Sequence, residues 1–218
     1  MSVLRQPGVL GRTTRQRAVG VTAALSAAAV ETVAVGCWFS LVVGSRTTAT
    51  ALAGLGVLFC GAVLRMGVFA ATVSDLDDLL QPQRLGVTVV FTGGWIVWLL
   101  VAEFFGESLG VAVAAAVISG ILTGAFVLER RVFSGDATDS SSDIPAVSGL
   151  LLAIGASTLL VAAWFIDWGI ATSPLSLGFT TVVLSVEALH LGVLAFGLFS
   201  FFAHQHRFQR LLAIHRSN

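Results

Sequence analysis

Lysine does not occur in this chain of 218 residues, and all twelve basic residues are arginine. Without lysine there is no amine for a retinal Schiff base and none for the phosphates of a P-loop, so both classes are excluded on chemistry. Charge of either sign is scarce: charged residues make up 11% of the chain, against about 25% in a soluble domain. Twelve acidic residues balance the twelve arginines, which removes the basic excess that a nucleic-acid partner requires. Cysteine is limited to Cys37 and Cys60. They lie in separate apolar stretches without CxxC or Cys/His spacing and read as small apolar residues, not as a metal or redox site. A GxSG serine elbow, an HExxH pair and paired intrahelical aspartates are also missing, which leaves intramembrane proteolysis without apparatus.

Apolar residues, by contrast, are abundant: 56% of the chain, with a mean hydropathy of +0.92. A soluble fold of this length has too little interior for them, so lipid is the expected solvent. The fold class is all-α: a polytopic membrane bundle of about six transmembrane helices. A continuous apolar run of about 20 residues spans a bilayer, and six runs qualify: Ala18–Gly44, Ala49–Val73, Leu85–Phe105, Leu109–Leu128, Ala146–Trp168 and Leu175–Phe202. Carboxylates at Asp75, Asp77 and Asp78, followed by Pro82, end the second run. Gly106-Glu107-Ser108 makes a tight hairpin between the third and fourth. The longest polar stretch, residues 129–145, reads as a solvated loop; Asp136, Asp139 and Asp143 lack the spacing and bidentate Glu of a calcium loop.

Arginine is retained on the cytoplasmic side of membrane helices. Six spans put Arg5, Arg12, Arg15, Arg17, Arg84, Arg130, Arg131, Arg207, Arg210 and Arg216 on one side and Arg46 on the other. Both termini are therefore expected in the cytoplasm, with the protein in the plasma membrane. Residues 1–17 form a basic amino-terminal segment, 18–203 the transmembrane domain and 204–218 a basic juxtamembrane tail. The first run is longer than a signal-peptide core and is interrupted by Glu31, so it is read as a retained helix. Trp38, Trp98, Trp164 and Trp168 then mark an outer aromatic belt. The tail interleaves apolar residues with arginines and is expected to rest on anionic lipid headgroups at the inner leaflet.

Two features invite a functional reading. Ala112, Ala116, Gly120 and Gly124 place a small residue every four positions on the fourth helix, a face that lets another backbone approach closely. That neighbour is either a helix of the same bundle or a partner in a homo-oligomer or membrane complex. The second feature is the few ionisable residues inside the runs: Glu31, Arg65, Glu187 and His190. Such groups cost about 2.5–3.5 kcal/mol each on insertion and normally face a partner in the bundle interior. The expectation is one polar cluster of these four, serving as a proton relay or coupling site in a small permease-like transporter. A buried ion pair that fixes helix register in a structural, assembly or regulatory subunit is the other reading. Membrane haem would need a second axial His beside His190, and His204 lies on about the same face of that helix, so no cofactor is expected.

Overall fold

A computed structural model of the chain describes residues 7–73, 82–134, 143–171, 175–176, 181–182 and 185–214. The acidic turn at Asp75–Asp78 and the centre of the polar loop, with Asp136 and Asp139, lie outside the described residues. Six helices carry the fold: α1 (Pro7–Gly44), α2 (Thr48–Val73), α3 (Pro82–Phe105), α4 (Glu107–Ser134), α5 (Asp143–Trp164) and α6 (Ala188–Ile214). Each contains a stretch of 21 to 27 residues long and apolar enough to cross a membrane. This is the composition and architecture of a helical membrane bundle.

Chain neighbours are also neighbours in space. α1 packs on α2, α3 on α4, α4 on α5 and α5 on α6, and α6 returns to α1, so the helices close a ring. The α2–α3 contact is the thinnest in that ring. Short joins enforce the order. Between α3 and α4 the chain reverses at Gly106 and Glu107, both with positive φ, 65° and 44°. Gly106 takes the left-handed conformation without a Cβ penalty, as the hairpin requires. Hydroxyls add contacts between helices, Ser148 Oγ donating to the Ala203 carbonyl at 3.2 Å and Thr158 Oγ1 to that of Gly192 at 3.2 Å.

The sixth span departs from the sequence expectation. α6 begins at Ala188, not near Leu175, and its spanning stretch is Ala188–Gln209. Upstream lie four short strands: β1 (Gly169–Ala171), β2 (Leu175–Ser176), β3 (Thr181–Val182) and β4 (Ser185–Glu187). β1 pairs antiparallel with β4, Gly169 opposite Glu187, and β2 with β3, Leu175 opposite Val182. Thr181 and Val182 of β3 are β-branched residues, which favour strands. Hydropathy alone does not separate apolar strand from apolar helix.

Toward the membrane end away from the amino terminus of α1, aromatic rings fill the core. Trp38 and Phe39 of α1, Trp95 and Trp98 of α3 and Phe196 of α6 are all buried. Trp95 meets Trp98 edge-on at 5.6 Å between centroids and Phe196 at 5.5 Å. Trp38 and Trp98 are 4% and 0% exposed, so they belong to the interior and not to an interfacial belt. Trp168, at 44%, remains exposed.

Gly61 of α2 allows α1 its closest approach, because a Cβ there would run into the Ala34 side chain. Gly124 of α4 has nothing within 4 Å of the corresponding position. Gly61→Val is therefore expected to lower stability by about 1–3 kcal/mol, the usual cost of overpacking. Gly124→Ala should be neutral or slightly stabilising through helix propensity. Thermal unfolding midpoints of the two variants in one detergent check the contrast.

Candidate functional site

The half of the bundle opposite the aromatic core holds the buried charges. Measured from the membrane end that carries the amino terminus of α1, Arg207 lies two residues inside the end of its span and Glu129 three inside its own. His204 is five and Arg65 seven residues inside theirs, and Ser200 is nine. Glu31 occupies the midpoint of its span, thirteen residues from either end. At about 1.5 Å per residue, these groups form a polar column from one membrane face to mid-bilayer.

Two linked groups make up the column. In the first, Glu129 Oε2 accepts from Arg65 Nη1 at 3.3 Å and from Arg207 Nη2 at 3.1 Å. Both guanidiniums are also stacked on rings: Arg65 lies 3.8 Å from the Phe91 centroid, and Arg207 lies 4.0 Å from that of Phe126. Desolvated cation–π contacts of this kind contribute about 2 kcal/mol. In the second group, Glu31 Oε2 accepts from Ser200 Oγ at 3.0 Å and pairs with His204 Nε2 at 2.7 Å. Ser200, His204 and Arg207 recur at steps of four and three, so one face of α6 supplies all three.

Charge balance makes this burial tolerable. Within these two groups two guanidiniums and two carboxylates cancel, leaving the column neutral when His204 is neutral and at one positive charge when it is protonated; the buried Arg84 of α3 stands apart from them. Glu31, Arg65, Glu129, His204 and Arg207 are between 0% and 6% exposed. Several of their polar atoms have no partner among the described residues: Glu31 Oε1, Arg65 Nε and Nη2, Glu129 Oε1 and Arg207 Nη1. A cavity of about 10 Å³ opens between α1, α2 and α3, with Glu31, Arg65, Phe91 and Trp95 in its wall. That is at the lower limit of the space one water needs.

No protein family, curated protein or solved structure matches this chain. Its site is therefore read from its own geometry. Among the described residues no three His, Cys, Asp or Glu side chains come together as metal ligands.

Of the four residues expected to cluster, Glu31 and Arg65 share the cavity wall. Glu187 and His190 do not join them. Glu187 ends β4 and His190 lies in the first turn of α6, both exposed, where the Glu187 backbone N–H donates to His190 Nδ1 at 3.0 Å. They occupy the opposite end of the bundle because α6 starts at Ala188, and their contact caps that start. Glu129, Ser200, His204 and Arg207 were not anticipated. Glu129 reads as the start of the polar loop and His204 and Arg207 as surface tail, but Phe201, Phe202, Ala203 and Phe208 between them carry the apolar period of a buried helix onward.

The small-residue face is also placed. Ala112, Ala116, Gly120 and Gly124 are all exposed, while Ala114, Ile118, Leu122 and Phe126 on the other side of α4 fill the core. Among the described residues nothing lies within 4 Å of a Cβ built at Gly120 or Gly124. At the same membrane end as Glu187, Arg46 pairs with Glu103 at 2.9 Å in an exposed contact.

The hub of the polar column is Glu129. Glu129→Leu leaves two guanidiniums without their shared anion, whereas Arg207→Leu leaves the Arg65–Glu129 pair intact. Removing one member of a buried pair costs about 3–5 kcal/mol. Glu129→Leu is expected to reach that range and Arg207→Leu to fall well below it, as measured by denaturant unfolding in mixed micelles.

Proposed function

We propose that this chain is a small permease-like membrane transporter in which the Glu31–His204 pair exchanges a proton. The observation that carries this reading is the pair itself: a carboxylate and an imidazole 2.7 Å apart and almost fully buried, with the carboxylate at mid-span. Ionisable groups at this depth mark proton relays and coupling sites. A carboxyl and an imidazole in contact share a proton that either can hold, and Ser200 fixes the carboxylate while it does so. Because the charges of the column cancel, one added proton changes the net charge of the column. Arg65 and Glu129 feel that change directly, and they tie α2 to α4. The cavity admits no more than a water, so passage of any larger solute requires helices to part, and the thin α2–α3 seam is where they part most readily.

In this reading the polar column opens toward the cytoplasm of a plasma-membrane protein. The support is the placement of arginine: Arg12, Arg15, Arg17, Arg84, Arg130, Arg131 and Arg210 sit on helices at that end, and Arg46 lies at the other.

A second reading, a structural, assembly or regulatory subunit of a membrane complex, is favoured by the outward stripe of α4. Small-residue faces of this kind support helix association in lipid. Proton flux into vesicles loaded with a pH-sensitive dye separates the two. Glu31→Gln and His204→Gln are expected to reduce flux at least tenfold, with His204→Gln keeping the wild-type unfolding midpoint and Glu31→Gln lowering it because the anion that balances the triad is lost. Wild-type vesicles without flux, together with association in bilayers that Gly120→Leu abolishes, would establish the subunit reading instead.

A further inference from the structure

The two halves of the polar column do not touch through any direct hydrogen bond between Glu31 and Arg65, yet both side chains line the same small cavity. Each brings unpartnered polar atoms and almost no exposure: Glu31 Oε1 at 4% residue exposure, and Arg65 Nε and Nη2 at 2%. Glu31 therefore brings an unpartnered acceptor and Arg65 two unpartnered donor nitrogens, and both residues line a space of about 10 Å³. The remaining wall is apolar, formed by Leu58, Ala62, Phe91 and Trp95. Buried polar groups are nearly always satisfied, and a water of this kind needs at least two polar partners and about 10–15 Å³.

We infer that the cavity is a binding site for a single water that bridges Glu31 Oε1 to the guanidinium of Arg65 and joins the two groups into one hydrogen-bonded chain. The direction of the bridge follows from the donor inventory. Arginine donates and never accepts, so the water accepts from Arg65 and turns a hydrogen toward Glu31 Oε1. Glu31 must then be an acceptor at that oxygen. A proton taken up at Oε1 turns that oxygen into a donor to the second lone pair of the water, so a charge-assisted bond gives way to a neutral one and the hydrogen the water had turned toward Glu31 loses its acceptor. The bridge between α1 and α2 is thereby weakened when Glu31 is loaded and restored when it is unloaded. This gives the proposed proton site a direct mechanical link to α2, the helix on the thin seam, and in that respect it rests on the transporter reading. The water site itself does not.

The test is a structure of the full chain in lipid nanodiscs at a resolution that shows ordered water, at a pH above the carboxylate range, with Ala62→Val as a cavity-filling variant. The expected result is one density peak within hydrogen-bond distance of both Glu31 Oε1 and Arg65 Nε or Nη2, lost in Ala62→Val. A direct Glu31–Arg65 ion pair, or a dry cavity in the wild type, overturns the inference. If Ala62→Val does not fold, the wild-type map decides alone. Flux measurements keep the two claims apart: the peak without proton flux upholds the water and removes the transporter reading, and flux with a dry cavity does the reverse.

Discussion

Charge neutrality inside a low-dielectric bundle is the constraint on which the rest of this structure depends. A lone guanidinium or carboxylate in the hydrocarbon region is expensive, and its cost falls only when an opposite charge and hydrogen bonds meet it there. Arg65, Arg207 and Glu129 meet this condition as a triad. The triad has one cation in excess, and Glu31 supplies the matching anion from α1. This balance requires α1, α2, α4 and α6 to stand in one rotational setting. Turning any of them by a residue would send a charge into lipid. The network thus selects one arrangement among the many that a set of apolar helices packs almost equally well, since lipid and protein interiors are similarly apolar and hydrophobicity does little to discriminate between them.

The two halves of the bundle solve different problems. Where the charges lie, contacts between helices are directional and tolerate a water-sized gap. Where Trp38, Phe39, Trp95, Trp98 and Phe196 lie, large flat rings pack at tilted and edge-on angles, and Trp95 alone among them reaches the wall of that gap. Glu31 therefore has polar neighbours in Ser200 and His204 on one side and aromatic rings across the cavity on the other.

Six spans could be recognised in the sequence because a bilayer sets a minimum apolar length, and each of the first five runs coincides with a helix to within a few residues apart from the amino-terminal extension of α1. The sixth run could not be placed, because residues 175–202 contain both an apolar β-rich excursion and the start of a helix, and hydropathy scores them alike. Glu31 and Arg65 were recognisable as interior groups since their neighbours on both sides are apolar. Glu129, His204 and Arg207 were not: they sit near the ends of apolar runs, where charged residues ordinarily meet water. What puts them inside is the partner each finds on another helix, a tertiary fact that no window of sequence contains. Trp38 and Trp98 misled for a similar reason, since a tryptophan near a helix end packs inward or lies at the interface according to its neighbours.

The thin α2–α3 contact takes its meaning from the same network. Arg65 leaves α2, lies flat on Phe91 of α3 and reaches Glu129 of α4. The helix that packs least on its ring neighbour is thus fastened across that neighbour by a charge, with the ring of Phe91 as the surface it crosses. Packing between α2 and α3 opposes separation weakly over its whole length, whereas the ion pair opposes it strongly at one level. A buried guanidinium that leaves Glu129 must find another anion or water at once. Glu31, on the far side of the same cavity, is the anion within reach.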